Sequence, residues 1–258
     1  MRTETESRTG IGFRQLASHL GVADWQLRLA REHGLIPEPD LNGKWTAELA
    51  GRCRSRASQI VAAFGDEPPV GAGKAAARLA LRLRLDVEKA DIEVLVARGD
   101  LTLVGHYQRN PIYLLRDLDA LDAGGVAEVV AARKGPLLDR VDVRGAALVL
   151  GWSKGIFARV AAERGLVADQ LGRYALADVR ALADDADLNA RVRAEQGEQA
   201  LVRARRNEKR HEDALRNWML RCTAYLDGTA EDPPDALAVS RSLKAITAAR
   251  STLASRTT

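Results

Sequence analysis

Side chains that could recognise DNA bases stand on the short stretch DWQLRLARE (24–32). The amide of Gln26 can pair with adenine, and the guanidinium of Arg28 can pair with guanine or contact a phosphate. If the stretch is a helix, Leu27 faces the core, and Trp25, Gln26 and Arg28 face outward. The types and spacing of these residues therefore suggest contact with DNA.

A second stretch, SKGIFARVAAE (153–163), has the same character. Ser153, Lys154 and Arg159 fall on its outward face, and Arg173 follows in the next polar turn. These side chains can donate hydrogen bonds to phosphates or base edges. The alternative for any one of them is an ordinary solvated surface residue.

Further basic residues lie outside these two stretches. Lys44 belongs to the turn NGK, and Arg52, Arg54 and Arg56 follow it in RCRSR. Much later, residues 191–210 carry a dense run of arginines. That run is either a solvated helix held by i,i+4 ion pairs or a source of sequence-independent phosphate contacts.

A third stretch, residues 79–101, lies between the first two and is acidic on the face where they are basic. Its outward residues are predicted to be Glu88, Lys89, Asp91 and Glu93. Because such a face would repel phosphate, we expect this segment to act as a spacer or to contact a protein. Its expected route to DNA is the polar turn GHYQRN, which contains Arg109.

No pattern for catalysis, metal binding or cofactor binding accompanies these residues. The sequence GAGKAA is close to a phosphate-binding loop, but Pro68 and Ala75 replace the glycine and the hydroxyl residue that such a loop requires. The four histidines have no Cys or His partners at metal-ligand spacing. We therefore expect no enzymatic activity, no metal and no cofactor.

Two helices and a tight turn must position the residues that contact DNA. In FRQLASHLGVADWQLRLAREHGLI (13–36), Gly21 supplies the left-handed backbone of a tight turn between two helices, and Gly34 ends the second helix. The hairpin signal NGK follows. This order predicts a helix-turn-helix with a small β-wing, and residues 46–64 predict a further helix.

The same pattern returns near residue 150. In VRGAALVLGWSKGIFARVAAERGLV, Gly151 and Gly165 take the places of Gly21 and Gly34. This copy is one residue longer than the first, either in the turn or in the second helix.

The middle stretch aligns with the first at a constant offset of 65 residues. The offset pairs Leu81 with Leu16, and Asp86 with the turn residue Gly21. Asp is among the non-glycine residues that tolerate a left-handed turn, so Asp86 is expected to take that conformation.

The motif VRGAALVLGWS…ERGLV…GRYALADVRAL resembles the winged helix-turn-helix of the MerR and phage-excisionase superfamily. The resemblance extends over three copies, from about residue 11 to about residue 186. It implies a winged helix-turn-helix fold for each copy and double-stranded DNA as the partner. The second helix of such a unit enters the major groove, which favours DNA contact for the outward faces as a whole.

The chain is therefore predicted to be mainly α, with three tandem winged helix-turn-helix units and a helical tail. Copies one, two and three are assigned to residues 11–64, 77–133 and 142–186, and the tail to residues 187–258. The sequence GDEPPVGAGK (65–74) is interpreted as a linker because it is rich in Pro and Gly.

The tail is predicted to contain a long helix over residues 187–227 and a second helix after Pro234. Val239, Leu243, Ile246 and Leu253 lie near heptad spacing and could pack in a helical hairpin. The same region, residues 215–253, could instead join a homodimer or a protein partner.

The composition of the chain indicates the kind of compartment and partner to expect. The 258 residues include 39 Lys and Arg against 35 Asp and Glu, which gives a mildly basic chain. Two distant cysteines, a polar amino terminus and the lack of a long apolar stretch favour a cytoplasmic protein with no membrane partner. We expect it to associate with the nucleoid.

These observations favour a bacterial DNA-binding protein that acts as a transcriptional regulator. A role in plasmid or phage maintenance, or in nucleoid organisation, fits the same residues. The alternative from another class is a protein-interaction scaffold, because winged helices also bind proteins.

Overall fold

The computed structural model describes residues 10–255 and is mainly helical. The chain divides into two compact units, one ending at Leu182 and one beginning at Ala183, here called the body and the tail. Over the described residues, no helix combines the length and the apolar character that a membrane crossing requires.

Copy one contains four α-helices and two isolated backbone pairings. Its helices are α1 (Phe13–Leu20), α2 (Asp24–Glu32), α3 (Ala47–Cys53) and α4 (Ala57–Phe64). The single helix predicted for residues 46–64 is interrupted by a 3₁₀ turn, Arg54–Arg56. Apolar side chains are nevertheless buried on both sides of the break, as Leu49 and Ile60 show.

Copy two has a three-stranded antiparallel sheet. Its elements are β1 (Val70–Gly71), α5 (Ala72–Leu83), α6 (Lys89–Ala97), β2 (Gly105–Tyr107), β3 (Asn110–Tyr113), α7 (Leu115–Ala120) and α8 (Ala123–Lys134). The strand order is β1-β3-β2. The linker predicted for residues 65–74 is therefore wrong from Val70 onward, where β1 pairs with β3 and α5 begins.

Copy three contains two strands and three helices. Its elements are β4 (Arg140–Val141), α9 (Val143–Leu150), α10 (Lys154–Glu163), β5 (Tyr174–Ala175) and α11 (Leu176–Asp184). Strands β4 and β5 pair antiparallel.

The three copies share one order of elements. In each copy, the residue two positions before the first helix pairs with the residue two positions before the third helix. The pairs are Ile11 with Trp45, Val70 with Tyr113, and Val141 with Tyr174. Each pairing brings the start of a copy back to the start of its third helix.

The turns of copies one and three match closely. Gly21 ends α1 with φ 68° and Gly151 ends α9 with φ 66°, the left-handed conformation predicted for both. The extra residue of copy three lies in the second helix, since α10 has ten residues and α2 has nine.

Copy two departs from the predicted alignment before residue 87. Helix α5 ends two residues early relative to the offset of 65, and Arg84 takes the left-handed conformation with φ 53°. The assignment of Asp86 to that conformation is wrong, because Asp86 is buried and its carboxylate lies 2.7 Å from the ammonium of Lys134. Leu81, predicted to match the buried Leu16, is 52% exposed, and Leu79 is buried in its place.

The hydrophobic cores do not follow the boundaries of the copies. The core around Leu27 and Trp45 of copy one also contains Val104, Ile112 and Leu114 of copy two. Copies one and two are therefore packed together through apolar side chains.

Copies two and three meet through α5 and α9. A Cβ atom built on Gly145 of α9 would lie 2.3 Å from Oδ1 of Asp86. Because real Cβ atoms do not approach an oxygen so closely, this contact requires glycine.

The tail is a pair of helices, α12 (Ala186–Leu226) and α13 (Ala236–Ala254). Helix α12 has 41 residues, and its extent agrees with the long helix predicted from the sequence. The two helices pack along each other, and the buried residues Ser242, Ile246 and Ala249 of α13 form the contact face. The prediction that Leu243 belongs to this face is wrong, because Leu243 is 51% exposed.

Candidate nucleic-acid interface

Helix α10 of copy three has one buried face and one exposed face. Ile156, Phe157, Val160 and Ala161 are buried. The ring of Phe157 contacts that of Tyr174 edge-on, with 5.1 Å between centroids, and this contact holds the helix against β5.

The exposed face of α10 combines cations with small side chains. Its members recur every four residues and are Lys154, Gly155, Ala158, Arg159, Ala162 and Glu163, the last a carboxylate. Small residues allow a flat partner to approach the helix backbone, and the two cations suit a partner that carries negative charge.

The start of α10 is fixed by Ser153. Its hydroxyl oxygen accepts a hydrogen bond of 3.2 Å from the backbone N–H of Ile156, which caps the helix. Lys154 is the first residue of the helix and is exposed. Arg159 is held in an ion pair 2.8 Å from Glu163, one turn further along.

The turn that follows α10 is held together by one carboxylate. Oδ1 of Asp169 accepts hydrogen bonds from the backbone N–H groups of Leu171 and Arg173, each at 2.9 Å. The bond from Arg173 and then that from Leu171 hold the pKa of Asp169 below the ordinary value of a carboxyl group. Leu171 and Val167 project from this region, 69% and 81% exposed.

Ser153, Lys154 and Arg159 thus lie on one helix, as the sequence predicts, and Arg173 lies on the turn that follows. Arg173 is half-buried, and its backbone takes part in the hydrogen bonds to Asp169. The residues that sequence analysis missed here are Gly155, Ala158 and Asp169. The four-residue spacing of small residues along α10 was the available signal for the first two.

Helix α2 of copy one is arranged differently. The prediction that Gln26 faces outward is wrong, because Gln26 is 4% exposed. Its amide oxygen accepts a hydrogen bond of 2.7 Å from the N–H of Ala23, and its amide nitrogen donates one of 2.6 Å to the carbonyl of Gly65. Gln26 therefore caps the start of α2 and ties it to the end of α4.

The β2–β3 hairpin of copy two covers the side of α2 that carries Arg28. Nη1 of Arg28 donates a hydrogen bond of 2.7 Å to the carbonyl of His106, and its guanidinium lies 5.3 Å from the ring centroid of Tyr107. A ring nitrogen of His33 lies 2.7 Å from the carbonyl of Val104. Leu29, on the same side, is fully buried.

Trp25 and Arg28 are consequently not part of a free helix face. Trp25 is half-buried, and the Arg28 side chain is 25% exposed and lies 3.6 Å from Glu32. The physical reason is that α2 packs on one side against the rest of its own copy and on another against the β2–β3 hairpin of copy two. Both contacts reduce the solvent-exposed surface of the helix.

The other predicted basic residues lie on separate elements. Lys44 is exposed beside the turn at Asn42 and Gly43, which both have positive φ. Arg52 lies in the last turn of α3, and Arg54 and Arg56 lie in the turn between α3 and α4. All three are exposed, with Arg52 4.0 Å from Glu48 and Arg56 donating a hydrogen bond to Gln59.

Arg109 lies at the tip of the β2–β3 hairpin and is exposed. The backbone of Gln108 and Arg109 is left-handed at both positions, with φ 48° and 66°. Two consecutive non-glycine residues in this conformation are unusual, and each carries a steric cost.

The acidic face predicted for copy two is smaller than expected. Glu88 and Glu93 are exposed, but the prediction for Asp91 is wrong because it is 1% exposed. The carboxylate of Asp91 accepts a hydrogen bond from the N–H of Glu88 and lies 2.8 Å from Nε of Arg133. Asp91 is thus a buried structural residue.

Over residues 10–255, no three His, Cys, Asp or Glu side chains lie close enough together to hold a metal ion. Comparison of the chain with protein-family models, curated proteins and solved structures found no match.

Proposed function

We propose that this chain is a bacterial DNA-binding protein built from three tandem winged helix-turn-helix units. Its proposed role is transcriptional regulation. A role in plasmid or phage maintenance, or in nucleoid organisation, would use the same contacts. The shared order of elements in the three copies and the sequence resemblance support the fold assignment.

The observation that carries the proposal is the exposed face of α10. It offers Lys154 and Arg159 beside Gly155 and Ala158, so that the helix backbone can approach the floor of a major groove. Helix α2 lacks such a face because the β2–β3 hairpin lies over it. We therefore assign sequence recognition to copy three rather than to copies one and three together.

The experiment is selection of bound sequences from a pool of random duplexes, followed by titration of the enriched duplex and a scrambled duplex. Arg159→Ala should weaken binding to the enriched duplex by about 1–3 kcal/mol and weaken the scrambled duplex less. Lys154→Ala should weaken both duplexes about equally and reduce the salt dependence, as expected for a phosphate contact.

Glu93→Ala in copy two is the matched control and should leave both affinities unchanged, because Glu93 lies on an exposed helix face with no proposed DNA contact. Failure to enrich any duplex, together with no binding at low salt, would overturn the proposal. Loss of binding in Glu93→Ala with Arg159→Ala silent would move the recognition helix to copy two.

The tail suggests association of two copies of the chain. Met219, Leu220, Leu226 and Leu237 are each at least 63% exposed. Large exposed apolar side chains on a two-helix unit lose contact with water, and so stabilise an assembly, when a second protein surface covers them. We propose a homodimer through residues 215–253. This surface is also the observation that favours the alternative function, a protein-interaction scaffold.

A further inference from the structure

The body contains an open cavity of about 480 Å³ between α2 and the β2–β3 hairpin. The rings of Phe13, Trp25 and Tyr107 line it, together with Pro68 and Pro69. A cavity of this size lies within the range that holds small organic ligands.

Aromatic residues are unusually concentrated at this cavity. The whole sequence has three Phe, four Trp and four Tyr, and three of these eleven residues line it. Tyr107 is 56% exposed and Trp25 is half-buried, so the fold itself does not fully cover either ring. Partly covered aromatic rings facing a common space are suited to bind a third ring between or against them.

The charged groups at the rim already have partners. Arg28 donates a hydrogen bond to the carbonyl of His106 and lies 3.6 Å from Glu32. Asp24 lies 3.8 Å from Arg14. A charged ligand would lose its hydration against the apolar walls and would have to compete with these partners for a counter-charge, so the cavity favours a neutral ligand.

We propose that this cavity binds a neutral, planar aromatic molecule of two or three fused rings, in contact with Trp25 and Tyr107. The site joins copy one, through α2, to the hairpin of copy two. The inference is independent of DNA binding, because it rests on the lining of the cavity alone.

Direct binding of a fluorescent probe to the full chain tests the proposal. The probe is prodan, a neutral naphthalene whose emission moves to shorter wavelength in apolar surroundings. Saturable binding with such a shift is expected. Tyr107→Ala removes one wall and should weaken prodan binding about tenfold, which corresponds to the loss of one large ring contact.

Two further variants act as controls. Val94→Ala removes an apolar side chain of α6 that is 44% exposed and lies outside the cavity, and it should leave prodan binding unchanged. Trp25→Phe keeps a ring in the wall, so it should retain binding while reducing energy transfer from tryptophan to the probe. Circular dichroism confirms that each variant is folded.

Prodan binding that is not saturable, or that is unchanged in a folded Tyr107→Ala variant, would overturn the site. Binding of the anionic naphthalene ANS as tightly as prodan would overturn the assignment to a neutral ligand.

Discussion

Arg28 donates a 2.7 Å hydrogen bond to the backbone carbonyl of His106, which lies 78 residues later in the chain. His33 makes a similar contact to the carbonyl of Val104, 71 residues later. These two contacts, with the apolar core beneath them, fasten the hairpin of copy two onto α2. Copy one is therefore a support for copy two and has no free second helix of its own.

The Gln26 side chain is expected to contribute to stability and not to DNA recognition. Gln26→Ala removes the side-chain amide, so the N–H of Ala23 and the carbonyl of Gly65 each lose a hydrogen-bond partner. The free energy of unfolding should fall by about 1–3 kcal/mol in denaturant titrations. Gln59→Ala, at an exposed position, is the control and should change it by less than about 0.5 kcal/mol. Equal effects of the two variants would show that Gln26 has no such role.

The Asp91 side chain is also expected to stabilise the fold. Asp91→Ala leaves the guanidinium of Arg133 without the carboxylate that lies 2.8 Å from it. Because Arg133 is 24% exposed and keeps Glu88 at 3.1 Å, the loss should be about 1–3 kcal/mol, and the midpoint of thermal unfolding should fall accordingly. Glu93→Ala on the same helix should leave the midpoint nearly unchanged. A thermally unaltered Asp91→Ala variant would contradict the buried placement.

Two glycines in the first turns of α9 and α10 should respond oppositely to alanine. Gly145→Ala would place a Cβ 2.3 Å from Asp86, so it should destabilise the body by about 1–3 kcal/mol. Gly155→Ala meets no atom within 4 Å and should stabilise the helix by up to about 1 kcal/mol. Chemical unfolding of both variants measures the difference, and destabilisation by Gly155→Ala would contradict the open space at that position.

The turn at Asp169 should resist acid. Because hydrogen bonds from the N–H of Arg173 and then of Leu171 lower the pKa of Asp169, its stabilising effect is present above the ordinary carboxyl pKa. That effect is lost only as pH falls through the lowered pKa. Amide chemical shifts of Leu171 and Arg173, followed by NMR, should titrate together below pH 3.8, the ordinary value. A midpoint at or above that value would contradict the hydrogen-bonded turn.

The oligomeric state tests the proposed role of the tail. Leu220 and Leu226 are 69% and 82% exposed, so Leu220→Lys and Leu226→Lys should shift a dimer toward monomer in sedimentation equilibrium. Val167→Lys, at an 81% exposed position of the body, is the control and should leave the state unchanged. A wild-type chain that stays monomeric at high concentration would exclude the homodimer.

Local features of copies one and three could be predicted because they depend on a few neighbouring residues. Glycine and the apolar spacing around it predict left-handed turns at Gly21 and Gly151, and both residues adopt that conformation. Copy two was misaligned because its turn is two residues longer, and Arg84 holds a conformation that its residue type does not indicate. The offset of 65 holds for α6 but not for α5, so it could not reveal the two extra turn residues upstream of Val87.

The placement of Gln26 and Asp91 could not be predicted from residue type. Both occupy the third position of a second helix, where a polar side chain can cap the helix start and remain buried. Their outer partners, Gly65 and Arg133, are brought by other elements. One signal was available for α2: Trp25, Leu27, Leu29 and Ala30 spread apolar surface around most of the helix, which is typical of a helix covered on more than one side.

The shared core of copies one and two has a consequence for how the chain is made. Leu29 and its neighbours lack their full covering until Val104, Ile112 and Leu114 are available. During synthesis, copy one must therefore wait for about fifty further residues to leave the ribosome before its packing is complete. A fragment that stops at residue 64 would present an uncovered apolar side to its surroundings.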